Sequence, residues 1–209
     1  MKIIDYDLKN PKVQYLLATD EKLAKLINYI SYVNLELEED GFKCIVKYIV
    51  GQQISDKARE TIWNRLNSKY NVEPKEILNI DNIELLNVGL SRRKVSYIKN
   101  LASAVFNNQL NFNTLKCLSN EDIIKQLTSI KGIGNWTAEM YIIFSLGRED
   151  VLSVGDGTIR RTLQWMYSLD KLPSQKEVYK FFENWLPYST IVSVFFWKSI
   201  ELEIYKDMF

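Results

Sequence analysis

LTSIKGIGNWTAEMYIIFSLGREDVLSVGDGTIRR, residues 127–161, opens as the end of one helix, breaks on two glycines and restarts as a second helix that is apolar almost all round. Gly132 and Gly134 permit backbone angles that other residues avoid, so two helices can join there in a very short turn. The second helix starts with N–H groups that have no intrahelical partner and with the positive end of its dipole. Together these hold an anion, and glycine lets the anion come close. Carbonyls at the end of the first helix can turn outward and hold a monovalent cation. Taken alone, the GxG pattern fits an ordinary turn between helices. The helix after the turn shifts that balance. Trp136, Met140, Ile143 and Phe144 share one helical face while Ala138, Tyr141, Ile142 and Leu146 fill others, and a helix apolar on all sides is central to its fold. A phosphate-facing turn anchored this way suits a nucleic-acid backbone contact that is blind to sequence.

The same stretch ends on one carboxylate, Asp156, set between Gly155 and Gly157 and followed by Arg160 and Arg161. Asp156 has the position of an N-cap for a helix beginning at Gly157. A cap also fixes where its carboxylate points, so a structural and a chemical role are compatible. The functional reading is a carboxylate at the mouth of an aromatic pocket, close to a bound nucleic acid.

The rest of the composition narrows the chemistry. The 209 residues contain no histidine, which removes the commonest general base, the Ser-His and Cys-His pairs and most zinc sites. Acid–base work falls to carboxylates, lysine, tyrosine or water. Cys44 and Cys117 are too few for a disulfide framework or an iron–sulfur cluster and read as small hydrophobes. With a net charge of +1, a nucleic-acid partner needs a local basic face. No stretch approaches the roughly 18 apolar residues that span a bilayer. The opening MKIIDYDLKNPK lacks a signal-peptide pattern, so the expectation is an intracellular protein, cytoplasmic and nucleoid-associated in a bacterium.

Helical spacing recurs along the chain with little alternation, so the fold class reads as all-α. Helices are expected near residues 10–18, 20–33, 40–52, 55–70, 83–88, 91–108, 119–128, 134–147, 157–168, 174–186 and 189–204, with Ser55, Ser91 and Ser119 as N-caps. NVEPKEILNI and NNQLNFNTLKCLSN read as connectors. The expected organisation is two tightly packed helical lobes with a cleft between them. Residues 1–40 form N-terminal helices packing with the C-terminal lobe, 41–112 the first lobe, and 113–209 the hairpin and catalytic lobe.

LTSIKGIGNWTAEM followed at this spacing by VGDGTIRR resembles the helix-hairpin-helix DNA glycosylase superfamily, in its DNA-3-methyladenine glycosylase II branch. IVGQQISDKARETIWNRL (49–66), VGLSRRKVSYIKNLASAV (88–105) and WLPYSTIVSVFFWKS (185–199) resemble further motifs of that branch, in its order. The resemblance implies a monofunctional enzyme of base excision repair that flips an alkylated purine, 3-methyladenine or 7-methylguanine, out of double-stranded DNA and hydrolyses its N-glycosidic bond. Such a base is cationic and leaves as a neutral molecule, so no general acid is needed. The resemblance makes Asp156 the carboxylate that stabilises the oxocarbenium-like sugar and orients water. It makes Gln53, with its neighbour Gln52, the wedge that fills the gap left by the flipped base. Trp136, Met140, Tyr141 and Trp197 become the base pocket, where cation–π attraction favours charged bases. Gly132, Gly134, Trp136, Lys131, Arg92, Lys94, Arg160 and Arg161 become the phosphate contacts. Main-chain carbonyls of Thr128, Ile130 and Ile133 match the family's site for Na+ or K+; no other cofactor is implied, and the expected state is a monomer.

Three departures bear on these expectations. Trp136 stands where bifunctional members carry a catalytic lysine, which argues against Schiff-base strand cleavage. Gly155 stands where relatives often have a second aspartate, and Ser189 where they often have arginine. The alternatives left open are a glycosylase for oxidised or deaminated bases, a non-catalytic helix-hairpin-helix DNA-binding module, and a helical interaction protein.

Overall fold

Side-chain caps set most helix starts. Ser55, Ser91 and Ser119 each accept from the backbone N–H three residues on, as the sequence suggests. Such caps satisfy one of the donors that every helix start leaves open. The computed structural model describes residues 2–204. In chain order it comprises β1 (Lys2–Asp7), α1 (Pro11–Leu17), α2 (Glu21–Ile30), β2 (Tyr32–Leu37), α3 (Gly41–Gly51), α4 (Asp56–Lys69), α5 (Pro74–Asn79), α6 (Asn82–Asn87), α7 (Arg92–Phe106), α8 (Phe112–Leu115), α9 (Asn120–Thr128), α10 (Asn135–Phe144), α11 (Gly157–Met166), α12 (Gln175–Phe182) and α13 (Ser189–Glu201). The all-α class holds, with one two-stranded sheet added. Among the described residues no helix is long and apolar enough to cross a membrane.

The chain divides into two compact units, one containing residues up to Leu37 and from Gly147 onward, the other Glu38–Leu146. In the first unit β1 and β2 pair antiparallel, with Tyr6 opposite Val33. The expectation that the first 40 residues are helical is corrected here. In β2, YVNLEL, Val33, Leu35 and Leu37 are buried while Tyr32, Asn34 and Glu36 are exposed. That alternation is the signature of a half-buried strand. The long helix α13 packs against α2, β2 and α11. Its buried Phe195 and Phe196 build the core with Tyr6, Leu16, Leu35 and Trp185.

In the second unit α10 packs on α3 and α9, and α3 also on α4 and α7. The ends of this unit meet: Glu38 N donates to Phe144 O at 2.8 Å and Ser145 Oγ donates to Glu38 O at 2.7 Å. The division therefore differs from the expected boundary at residue 112. The 107–118 connector buries Leu110 and Leu115 and lies inside this unit, so the glycine hairpin shares a unit with 41–112 and not with Asp156. NVEPKEILNI is likewise more than a connector, because Pro74 at its first position starts α5.

Candidate active site

The hairpin joins α9 to α10. Gly132 has φ +106°, and a Cβ added there would lie 2.1 Å from Cγ of Tyr97, so conformation and space both demand glycine. Gly134 corrects the sequence reading. Its φ of −99° is ordinary, and a Cβ built on it meets no atom within 4 Å. Nothing in the surrounding fold requires glycine there; the position opens onto space. Gly134 is also the N-cap of α10 and makes no side-chain cap bond, unlike the serine-capped helices. The start of α10 thus presents a dipole end with a bare approach, which suits an anion.

The residues after the turn belong to a packed helix. Thr137 to Ile143 are all buried, as the apolar pattern of α10 implies. Met140 is 2% and Tyr141 1% exposed, and the Tyr141 ring packs against Phe112 with centroids 5.6 Å apart, so these two assigned pocket residues lie in the core of the second unit. Trp136 is half-buried and meets the edge of Tyr48 at 5.8 Å. Tyr48 in turn stacks on Phe144 at 5.2 Å and lies under the Arg59 guanidinium at 5.5 Å. Sequence reasoning missed Tyr48. Its position on α3 one helical turn before Gln52 was the available signal. Burial pushes its phenol well above the ordinary value.

Gln52 and Gln53, the assigned wedge pair, part company. Gln52 is half-buried; its Nε2 donates to Gly132 O and Thr137 Oγ1, both at 3.0 Å. Gln53 is exposed, with φ +59°. The assigned cations also divide. Arg92 and Lys131 are exposed. Lys94, however, donates Nζ to Val50 O at 2.7 Å, and partial burial lowers its pKa. In the first unit Arg160 Nε donates to Pro173 O at 2.7 Å, whereas the exposed Arg161 donates to Thr158 Oγ1 at 3.3 Å. Lys94 and Arg160 are therefore half-buried and tied to backbone carbonyls.

Asp156 is the N-cap of α11. Its Oδ1 accepts from Thr158 N and Ile159 N, both at 2.9 Å, and from Trp197 Nε1 at 3.3 Å. The residue is only 8% exposed, which is rare for aspartate. The backbone donors fix one oxygen, and the indole of α13 reaches it from a second helix. Cap and candidate catalyst thus coincide in one group, and the structure brings Asp156 and Trp197 together. Ser189, at the start of α13, is fully buried, so no charged contact is offered at the position where relatives often have arginine. Gly155 is exposed beside Gln175.

Comparison with known proteins gives the family. The model of the HhH-GPD superfamily of base excision DNA repair proteins matches residues 46–188. The DNA-3-methyladenine glycosylase 1 of Schizosaccharomyces pombe is 34% identical over 191 residues, covering 88% of this chain and 83% of the relative. The crystal structure of a DNA-3-methyladenine glycosidase from Bacillus halodurans is 33% identical and superposes with a TM-score of 0.77 over 95% of this chain and 92% of that one. The 3-methyladenine DNA glycosylase of Schizosaccharomyces pombe in complex with abasic DNA gives a TM-score of 0.83 at 29% identity, over 91% of this chain and 97% of that one. The chain belongs to the HhH-GPD superfamily of base excision DNA repair proteins.

Proposed function

We propose that this protein is a monofunctional DNA glycosylase that removes alkylated purines, with 3-methyladenine and 7-methylguanine as its chemistry, from double-stranded DNA. The observation that carries the proposal is the buried carboxylate of Asp156, held on Oδ1 by two backbone amides and the Trp197 indole. A carboxylate fixed in this way stabilises positive charge developing on a sugar without having to reorganise when the charge appears. The relatives named for 3-methyladenine support the substrate class.

Each step uses groups of this chain. The amides at the start of α10, opened by Gly134, take a DNA phosphate. Exposed Arg92, Lys131 and Arg161 add charge along the backbone. Gln53 enters the duplex as the base leaves the stack, at a cost of roughly a few kcal/mol. The aromatic face of Trp197, whose indole reaches Asp156, receives the electron-poor base by cation–π attraction, about 0.5–2 kcal/mol. The C–N bond then breaks. Its electron pair goes to the cationic base, which leaves neutral, and Asp156 stabilises the sugar cation and orients the water that adds to it. Trp136 occupies the first turn of α10 and offers no amine, so no Schiff base forms and the strand stays intact.

The hairpin turn also offers carbonyl oxygens of Thr128, Ile130 and Ile133 for Na+ or K+. Ile130 O accepts from Ile133 N at 3.1 Å and keeps a second lone pair, and neutral carbonyl oxygens are the donor type that suits an alkali-metal ion. Such an ion would add positive charge beside the phosphate. The protein is proposed to act as a monomer.

Incubation of the protein with duplexes containing 3-methyladenine or 7-methylguanine tests the proposal. Free base should appear while the strand remains unbroken until it is heated in alkali. DNA binding without release would instead support a non-catalytic module. Direct nicking would contradict the monofunctional assignment.

A further inference from the structure

Three side chains of α7, spaced three residues apart along one side, hold the two turns assigned to contact DNA. Lys94 Nζ donates to Val50 O at 2.7 Å, at the C-terminal end of α3. A cation there meets the negative end of the helix and one of its orphan carbonyls. Tyr97 fills the space beneath Gly132, where no Cβ fits. Asn100 Nδ2 donates to Lys131 O at 3.0 Å. Gln52 closes the arrangement directly, from the α3 turn to Gly132 O at 3.0 Å. The consecutive carbonyls of Lys131 and Gly132 are thus each taken by a donor from a different element.

The turn that Lys94 secures is left-handed. Gln53, just past the C-terminal end of α3, has φ +59°, a conformation that occurs at helix ends and is costly for a residue with a Cβ. Gln53 and Ile54, the latter 37% exposed, project at this tip. An exposed, left-handed turn with a clamp behind it is preorganised, and the clamp holds the chain three residues before Gln53.

We propose that α7 is a brace that sets the distance between the wedge turn and the phosphate turn, with Lys94 and Asn100 as positioning residues for base flipping. The inference rests on the glycosylase reading. Neither residue touches DNA in it; Lys94 acts through Gln53, and Asn100 through the hairpin amides.

The test is a double-mutant comparison in the full chain, using a duplex with one 7-methylguanine for single-turnover base release and a 2-aminopurine duplex for flipping. Lys94→Met should lower the single-turnover rate at saturating protein by about tenfold, the scale of one lost charged hydrogen bond, with affinity changed by no more than about threefold. Lys94→Arg should restore most of the rate. In a Gln53→Ala background Lys94→Met should add no more than about twofold, because the residue through which it acts is already gone. An unchanged rate in Lys94→Met, or the same loss in both backgrounds, overturns the inference. Should Lys94→Met fail to fold, Asn100→Ala carries the comparison from the other end of the brace. It should slow release and lower the 2-aminopurine signal, and a wild-type result for it overturns the inference equally. A wild type that releases no base contradicts the proposed function alone. The brace is then decided by the 2-aminopurine signal, which Lys94→Met should reduce if it stands and leave unchanged if it falls.

Discussion

Gly134→Ala separates what the hairpin needs for folding from what it needs for DNA. The residue has φ −99°, and an added Cβ meets nothing within 4 Å, so the folded state acquires neither strain nor clash. Alanine is a poorer N-cap than glycine, which costs about 0.5–1 kcal/mol. Removing the freedom of glycine in the unfolded chain stabilises by about 0.4–1 kcal/mol. The two effects oppose each other, and the net stability change should stay within about 1 kcal/mol. Binding should respond differently. The new methyl stands where a phosphate must approach the amides of α10. Losing one charge-assisted hydrogen bond, worth about 1.5–3 kcal/mol, weakens affinity roughly 10- to 150-fold. Chemical denaturation gives the first quantity and fluorescence anisotropy of a labelled duplex at fixed salt gives the second. Wild-type affinity in a normally stable variant would show that no phosphate approaches residue 134. A loss of several kcal/mol in stability would show that the site is not open.

The geometry carries two more expected outcomes. Gly132→Ala should destabilise by about 2–6 kcal/mol, combining left-handed strain with overpacking against Tyr97; a wild-type denaturation midpoint would contradict the placement of that ring. Alkaline stability should fall above about pH 10. Tyr6 is raised above the ordinary phenol value by burial and then by its bond to Glu149, Tyr167 by burial and then by its bond to Asp20, and Tyr48 by burial. Stability from a raised acid group is fully present below its unfolded value and is lost as pH climbs through that value toward the folded one. Tyrosinate absorbance of these three should therefore appear with unfolding and not before it. Titration of all 12 tyrosines near the ordinary value in a folded protein would contradict the burial.

The features legible in the sequence were local. Ser55, Ser91 and Ser119 cap helices because a hydroxyl three residues before a backbone amide is a local geometry. The buried character of α10 and the capping role of Asp156 were legible for the same reason. Long-range partners were not. The bond from Trp197 to Asp156 joins residues 41 apart in the chain, and no spacing rule supplies it. Lys94 and Arg160 look like surface charge in a string of letters, yet both end on carbonyls. β2 was missed because Asn34 and Glu36 on its exposed face dilute its apolar content, while the alternation runs for only six residues. The expected packing of residues 1–40 with the C-terminal lobe agrees with the first unit, but that lobe starts at Gly147 and not at residue 113, because buried Leu110 and Leu115 sit among connector-like letters that hide their place in the second unit.

The most direct measurement is single-turnover release of 7-methylguanine by Asp156→Asn beside the wild type, with duplex affinity and unfolding midpoint recorded on the same samples. Asparagine caps a helix about as well as aspartate, so α11 should keep its start and the fold its stability. Loss of the charge should slow base release by about a hundredfold or more while DNA remains bound. Release at the wild-type rate from a stable, DNA-bound Asp156→Asn protein would contradict the assignment of Asp156 as the group that stabilises the sugar.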